Sequence, residues 1–185
     1  MKTPMIETNR LILKEITLDA YEDYFTNVRQ YDLLYKYFNK VAPTAASLVK
    51  EQIEEWTEKY KDHPYQWFIY LKGTGEVIGR IDLHNYRLDY KNADIGYELG
   101  PNYWHHGYMR ETVEAVLKYL FRNTDIHLIQ AITNIDNFYS QKVLLHTGFE
   151  KEAILHERDF IDGKYVPVVM WYTTAELLKK FGIDI

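Results

Sequence analysis

Two hydrophobic periods alternate along the chain. Between Thr44 and Lys61, Val49, Ile53, Trp56 and Tyr60 recur at helical spacing while Lys50, Glu51, Glu54 and Lys59 fill the other faces, which predicts an amphipathic helix. From Gly107 onward, Val113, Val116, Leu117, Leu120 and Phe121 mark a second apolar stripe. Phe138 to His146 reads as another helix, and Asp19 to about Gln30 as a short one. Strand-like runs lie between them. Leu11-Ile12-Leu13, flanked by Arg10 and Lys14, is the first; Gln66 to Leu71 and Val77 to His84 follow, joined by Lys72-Gly73-Thr74-Gly75 as a β-hairpin. Ala93 to Leu99 ends at Gly100-Pro101, Leu128 to Thr133 comes next, and Phe149 to Leu155 with Tyr165 to Thr173 form a last antiparallel pair turning at Asp162-Gly163. This alternation predicts an α/β (α+β mixed) fold. A twisted mixed sheet of six or seven strands with helices on both faces is the simplest way to bury every stripe.

No repeat, low-complexity tract or Gly/Ser/Pro linker interrupts the pattern, and 185 residues at 46% hydrophobic suffice for one buried core, so a single domain over 1–185 is expected. The net charge of −5 argues against a nucleic-acid partner, which would call for a basic face, and suits a cationic substrate better. The absence of cysteine removes disulfides, cysteine-ligated zinc and a cysteine acyl-enzyme. Met1 to Glu7 leads into neither an apolar signal core nor a bilayer-length run, so a cytoplasmic chain with no membrane partner is expected.

Three stretches carry chemistry: Thr8-Asn9-Arg10-Leu11-Ile12-Leu13-Lys14; the run from Ile95-Gly96-Tyr97-Glu98-Leu99-Gly100-Pro101 through Asn102-Tyr103-Trp104-His105-His106-Gly107-Tyr108-Met109-Arg110-Glu111; and Asn134, Asn137 and Ser140 followed by Gly148-Phe149-Glu150. In order and spacing, and in the final hairpin, the chain resembles the GCN5-related N-acetyltransferases (GNAT), of the type that modifies ribosomal-protein N-termini. The resemblance covers nearly the whole chain. It implies a sheet splayed between its fourth and fifth strands, acetyl-CoA as co-substrate, no metal, and an amine as acceptor.

The second stretch has a physical rationale as a coenzyme site. A loop feeding a helix start offers unpaired backbone N–H groups at a positive dipole end, suited to a pyrophosphate. The amides from His106 to Arg110 would serve, Gly107 lets the backbone approach closely, and Arg110 adds a charge; Leu99, Trp104, His105, Tyr108 and Met109 complete the candidate set. The family pattern of Gln or Arg, two residues, Gly, one residue, then Gly or Ala meets Trp104, Gly107 and Met109 here, so one anchor is kept. His105 stands where relatives often have glycine. Read without the resemblance, the segment is an ordinary strand-to-helix turn. Adjacent His105 and His106 point in different directions and lack a carboxylate at ligand spacing, which speaks against a metal.

An amine attacks a thioester only unprotonated, yet a lysine-type amine has a pKa of about 10 and an N-terminal one about 8, so a base or a water chain is required. The resemblance puts Glu98 at the end of the strand before the coenzyme loop and makes it the first candidate base; Asp159 is the second, one methylene shorter than the glutamate of some relatives. Either can equally be a solvated strand-end charge. For the leaving thiolate, the position four before Gly148 is Leu144 rather than the tyrosine of many superfamily members, so Ser140 becomes the candidate donor. If Asn137 caps the helix, Ser140 lies in its first turn, where serving backbone groups alone is the other reading. Asn134 and Asn137 would hold the pantetheine arm or substrate, or simply shape the strand end, and the resemblance assigns the N–H near Leu99 to the charge developing in the reaction.

The acceptor lies outside these motifs. Tyr31, Tyr35, Tyr37 and Phe38 could wall a pocket, but packing is the plainer reading in a chain with 17 tyrosines. The resemblance points to a protein or peptide α-amine. A small amine such as a polyamine or an antibiotic stays open, as does a CoA-binding sensor that has lost turnover. Monomer and homodimer are both compatible with the sequence, with Tyr60 and Trp171 as exposed aromatics for a dimer contact.

Overall fold

The computed structural model describes residues 3–37 and 40–185, with Leu88 described by its backbone alone. Met1 and Phe38, named above, lie outside the described residues. In chain order the elements are β1 (Ile6–Glu7), β2 (Leu11–Glu15), α1 (Tyr21–Tyr24), α2 (Ala46–Lys59), β3 (Gln66–Leu71), β4 (Val77–Arg87), β5 (Asn92–Leu99), α3 (Tyr108–Asn123), β6 (Leu128–Asn134), α4 (Phe138–Leu145), β7 (Glu150–Ile161), β8 (Lys164–Thr174) and α5 (Ala175–Phe181). The strand order is β1-β2-β3-β4-β5-β6-β8-β7 in one eight-stranded sheet. The count exceeds the six or seven expected because β1, a two-residue strand pairing Ile6 with Leu13, is too short to show a period. The chain divides into two compact units: one runs up to Lys36 and takes in Lys40–Asp82 and Tyr97–Tyr108; the other holds Tyr37, Leu83–Gly96 and Met109–Ile185.

In the first unit β2, β3 and the start of β4 pair antiparallel, with Leu13 opposite Ile69 and Ile69 opposite Gly79. On them sits a core of Ile16, Tyr24, Val28, Val49, Ile53, Phe68 and Val77. The stripe of α2 behaves as its spacing requires: Val49 and Ile53 are fully buried, and Trp56 packs against the same cluster. Gly79 and Gly100 mark close backbone approaches, since a Cβ at the first would collide with the carbonyl of Glu98 and at the second with that of Asn27.

The helix expected over Asp19 to Gln30 is compound. A 3-10 turn at Leu18–Ala20 leads into α1, which widens into a π turn at Phe25–Arg29 closed by the bond from the Gln30 N–H to the Phe25 carbonyl, 3.1 Å. In a regular α-helix residues five apart point about 140° from each other, whereas an i→i+5 turn brings them over one another. Tyr24 and Arg29 are such a pair, and both are buried.

In the second unit β5 and β6 run parallel, pairing Asn92 with Leu128 through Asp94 with Gln130. β6 pairs antiparallel with β8, and β8 with β7. Met109, Thr112, Val113, Val116, Leu117 and Leu120 form the buried face of α3. Asp162 and Gly163 turn the last hairpin with φ of 49° and 76°, the two left-handed residues that a two-residue type I′ turn needs. The strand expected to end at Leu155 continues to Ile161 after a register shift between Leu155 and Asp159, where Glu157 takes φ 51°. α5, capped by the Thr174 hydroxyl and ended by Gly182 at φ 90°, follows directly. Trp171 corrects the expectation of an exposed aromatic: it is 2% exposed, on the inward side of β8, and its indole donates to the Thr133 hydroxyl at 2.9 Å. No helix among the described residues is long and apolar enough to cross a membrane.

Candidate active site

At the end of β5 the Glu98 carboxylate is held from three sides in the first unit. Arg29 donates from Nη1 to both oxygens, at 2.9 and 3.2 Å; Arg80 Nε lies 3.3 Å from Oε1; and the Tyr24 hydroxyl donates to Oε1. The Glu98 side chain is 15% exposed, so it is not the solvated strand-end charge that the sequence also allowed. Around it, Arg29 Nη2 donates to Gln52 at 3.0 Å, Arg80 pairs with Asp82 at 3.1 Å, and the Arg80 guanidinium lies 4.1 Å from the Trp56 ring centre. Two cations and two carboxylates thus share one aromatic-walled pocket of the core, the arrangement in which buried charge is tolerated.

The protonation states follow from this packing. Burial works against ionised Glu98, but Arg29 and Arg80, with the hydrogen bonds from Tyr24 and Arg29, outweigh it and hold the carboxyl below its ordinary range. Burial likewise works against the two guanidinium charges, and Glu98 for Arg29 and Asp82 for Arg80 lead the effects that keep them on. Burial, then the Glu98 charge, pushes the Tyr24 hydroxyl far up. Tyr35 is pushed to about 12 by burial, with Arg29 opposing from 5.2 Å over its ring. Of the tyrosines considered as pocket walls, Tyr35 is therefore core, while the Tyr31 hydroxyl accepts a bond from Asn102.

Beyond β5 the chain makes the turn that the motif predicts. Gly100 N–H bonds to Ile78, Pro101–Tyr103 form a 3-10 turn, and α3 starts at Tyr108. Trp104 is turned back, its indole donating to the Leu99 carbonyl at 2.7 Å. His105 and Gly107 take φ of 64° and 77°, so the position where relatives often have glycine is left-handed, the region glycine enters without cost. His106 Nδ1 lies 2.7 Å from the Trp104 carbonyl, and its ring stacks on Tyr108 with centroids 5.5 Å apart. Sequence reasoning passed over Arg10, whose Nη1 donates to the His106 carbonyl at 2.8 Å and whose guanidinium lies 4.5 Å from the Tyr108 ring centre.

The other candidates belong to the second unit. Met109 points its side chain into the core, leaving only its backbone for a ligand, and Arg110 pairs along α3 with Glu114 at 2.8 Å. Asn137 is the N-cap of α4, its side chain accepting from the Ser140 N–H at 3.1 Å, which puts Ser140 in the first turn. Asn134 Oδ1 accepts from the Asp136 N–H at 2.9 Å, and its carbonyl is braced by Gln141, a residue that no local pattern singles out. Asp159 stands half-buried in the hairpin opposite Val166, just after the register shift. Among the described residues no group of three or more His, Asp or Glu is placed to hold a metal.

Residues 10–150 match the acetyltransferase (GNAT) domain. The chain belongs to the GNAT family. A Bacillus subtilis (strain 168) relative described as the uncharacterized N-acetyltransferase YoaA is 30% identical over 161 residues, 86% of this chain and 90% of the relative. The [ribosomal protein uS5]-alanine N-acetyltransferase of Escherichia coli (strain K12) is 32% identical over 91 residues, 49% of this chain and 47% of that protein. Among solved structures, a GNAT-family acetyltransferase from Bacillus anthracis superposes with a TM-score of 0.82 at 19% identity, over 94% of this chain and 99% of its own. The protein is thus an acetyl-CoA-dependent N-acetyltransferase with the GNAT fold. Left-handed residues at 105 and 107 stand just ahead of the start of α3.

Proposed function

We propose that this GNAT protein transfers acetyl from acetyl-CoA directly to the α-amine of a protein or peptide N-terminus. The observation that carries this is the ion-paired state of Glu98. A carboxylate held ionised by two guanidinium groups is a weak proton acceptor, so the site favours an amine that needs little help. At pH 7 an α-amine of pKa about 8 is free in about one molecule in ten, a lysine-type amine of about 10.4 in about one in 2,500. Glu98 and Asp82 are also matched here by Arg29 and Arg80, whereas a polyamine would need unmatched carboxylates. The uS5-alanine acetyltransferase among its relatives agrees with this choice.

In this reading Trp104 to Arg110 bind the pyrophosphate through backbone N–H groups, with the Leu99 N–H serving the acetyl carbonyl. Asn134 and Asn137 shape the arm site, Ser140 donates towards the departing thiolate, and the amine's proton leaves through water or Asp159, with Glu98 holding the strand end. The test is CoA release from acetyl-CoA with peptides bearing a free α-amine, α-blocked lysine peptides, and spermidine. Turnover confined to free α-amines is expected. Preference for blocked lysine peptides or spermidine would overturn the proposal. A pH profile of Glu98→Gln that keeps its acid limb at a lower plateau is also expected; loss of that limb would return the base to Glu98.

A further inference from the structure

We propose that Arg10 is the positioning residue of the coenzyme phosphate loop, supplying a guanidinium to it from β2's leading edge. This rests on the reading of Trp104 to Arg110 as that loop. The family places Gln or Arg where this chain has Trp104, and Trp104 is committed to the Leu99 carbonyl. Arg110 is drawn along α3 to Glu114. Arg10 instead touches three successive loop residues: its Nη1 bonds to the His106 carbonyl at 2.8 Å, a Cβ on Gly107 would stand 3.5 Å from its Nη2, and its guanidinium covers the Tyr108 ring.

Its own backbone is fixed. The Arg10 carbonyl accepts from Lys72 N–H at 3.0 Å, and the next residue, Leu11, is fully buried. The guanidinium is therefore carried on the sheet and reaches the loop from outside it. A planar, always-charged fork suits this work better than an ammonium: one edge fastens a carbonyl, the face lies on an aromatic ring, and the charge stays on at any working pH. By fastening the carbonyl of His106, Arg10 holds the segment between the two left-handed residues 105 and 107 in the conformation that turns N–H groups towards a phosphate.

The test compares binding of CoA and of pantetheine, which lacks the phosphates, by calorimetry at low and high salt for wild type, Arg10→Met, Arg10→Lys and Gly107→Val. Arg10→Met is expected to weaken CoA binding by about tenfold or more, the scale of a charge-assisted contact, with pantetheine binding unchanged and the salt dependence of CoA binding reduced. Arg10→Lys should recover part of the loss. Unfolding of each ligand-free variant identifies a merely structural role, which would weaken CoA and pantetheine alike and overturn the proposal. If Gly107→Val abolishes the preference for CoA over pantetheine while Arg10→Met keeps it, the loop reading stands and Arg10 is not its positioning residue. If neither variant alters that preference, the loop reading itself fails.

Discussion

Glu98 in the first unit and Asn137 in the second each carry a polar group named as part of the chemistry, yet they are embedded in opposite ways. Glu98 is gripped by three side chains from two separate segments, the compound helix and β4, and is nearly shut off from water. Asn137 accepts one bond from a residue three positions on and serves its own helix. Breaking a multiply bonded buried charge strands its partners, whereas removing a cap returns one N–H to water. The two sites should therefore differ in what a substitution damages: the fold for the first, a local turn for the second.

The sharpest way to break this comparison is Glu98→Gln, which leaves Arg29 and Arg80 short of a countercharge. A loss of about 3–5 kcal/mol in urea unfolding is expected, as for one partner removed from a buried pair; a loss below about 1 kcal/mol would mean that water screens the cluster. The pH dependence has a fixed sign. Because the folded-state carboxyl sits below its ordinary 4.5, its stabilisation is complete above that value and fades as pH falls through the lower folded one, so the gap between wild type and Glu98→Gln should narrow in acid. Next in size is Gly79→Ala, whose methyl meets the Glu98 carbonyl; overpacking of about 1–3 kcal/mol is expected in the same unfolding assay. Asn137→Ala should cost about 1 kcal/mol, read as a melting shift. Arg110→Ala, which loses an exposed pair with Glu114, should change stability by no more than about 0.5 kcal/mol.

What the sequence made legible follows the same division. The stripes of α2 and α3 and the turn at Asp162-Gly163 were visible because local periodicity and turn chemistry need no knowledge of partners. The turn from β5 into α3 was visible through a family resemblance, and the left-handed His105 explains physically why glycine is common there. Arg29 was hidden, since an arginine in a short polar helix reads as a solvated face and only the fold sets Glu98 against it. Arg10 was read as a mere flank to Leu11, because its partner, the His106 carbonyl, is 96 residues away. Trp171 misled for the converse reason: a large aromatic near the chain's end gives no sign of which face of β8 it takes until the pairing with β6 is known.

The π turn at Phe25–Arg29 makes segment length a variable independent of side-chain choice. Such a turn carries one residue more than an α turn. Deleting the exposed Thr26 would leave Arg29 four residues after Tyr24, within about 40° of the same direction in a regular α-helix. A one-residue deletion here would keep the arginine facing its carboxylate, while the same deletion between Ile53 and Trp56 of α2 would leave that pair two residues apart, about 160° from each other, and split the stripe.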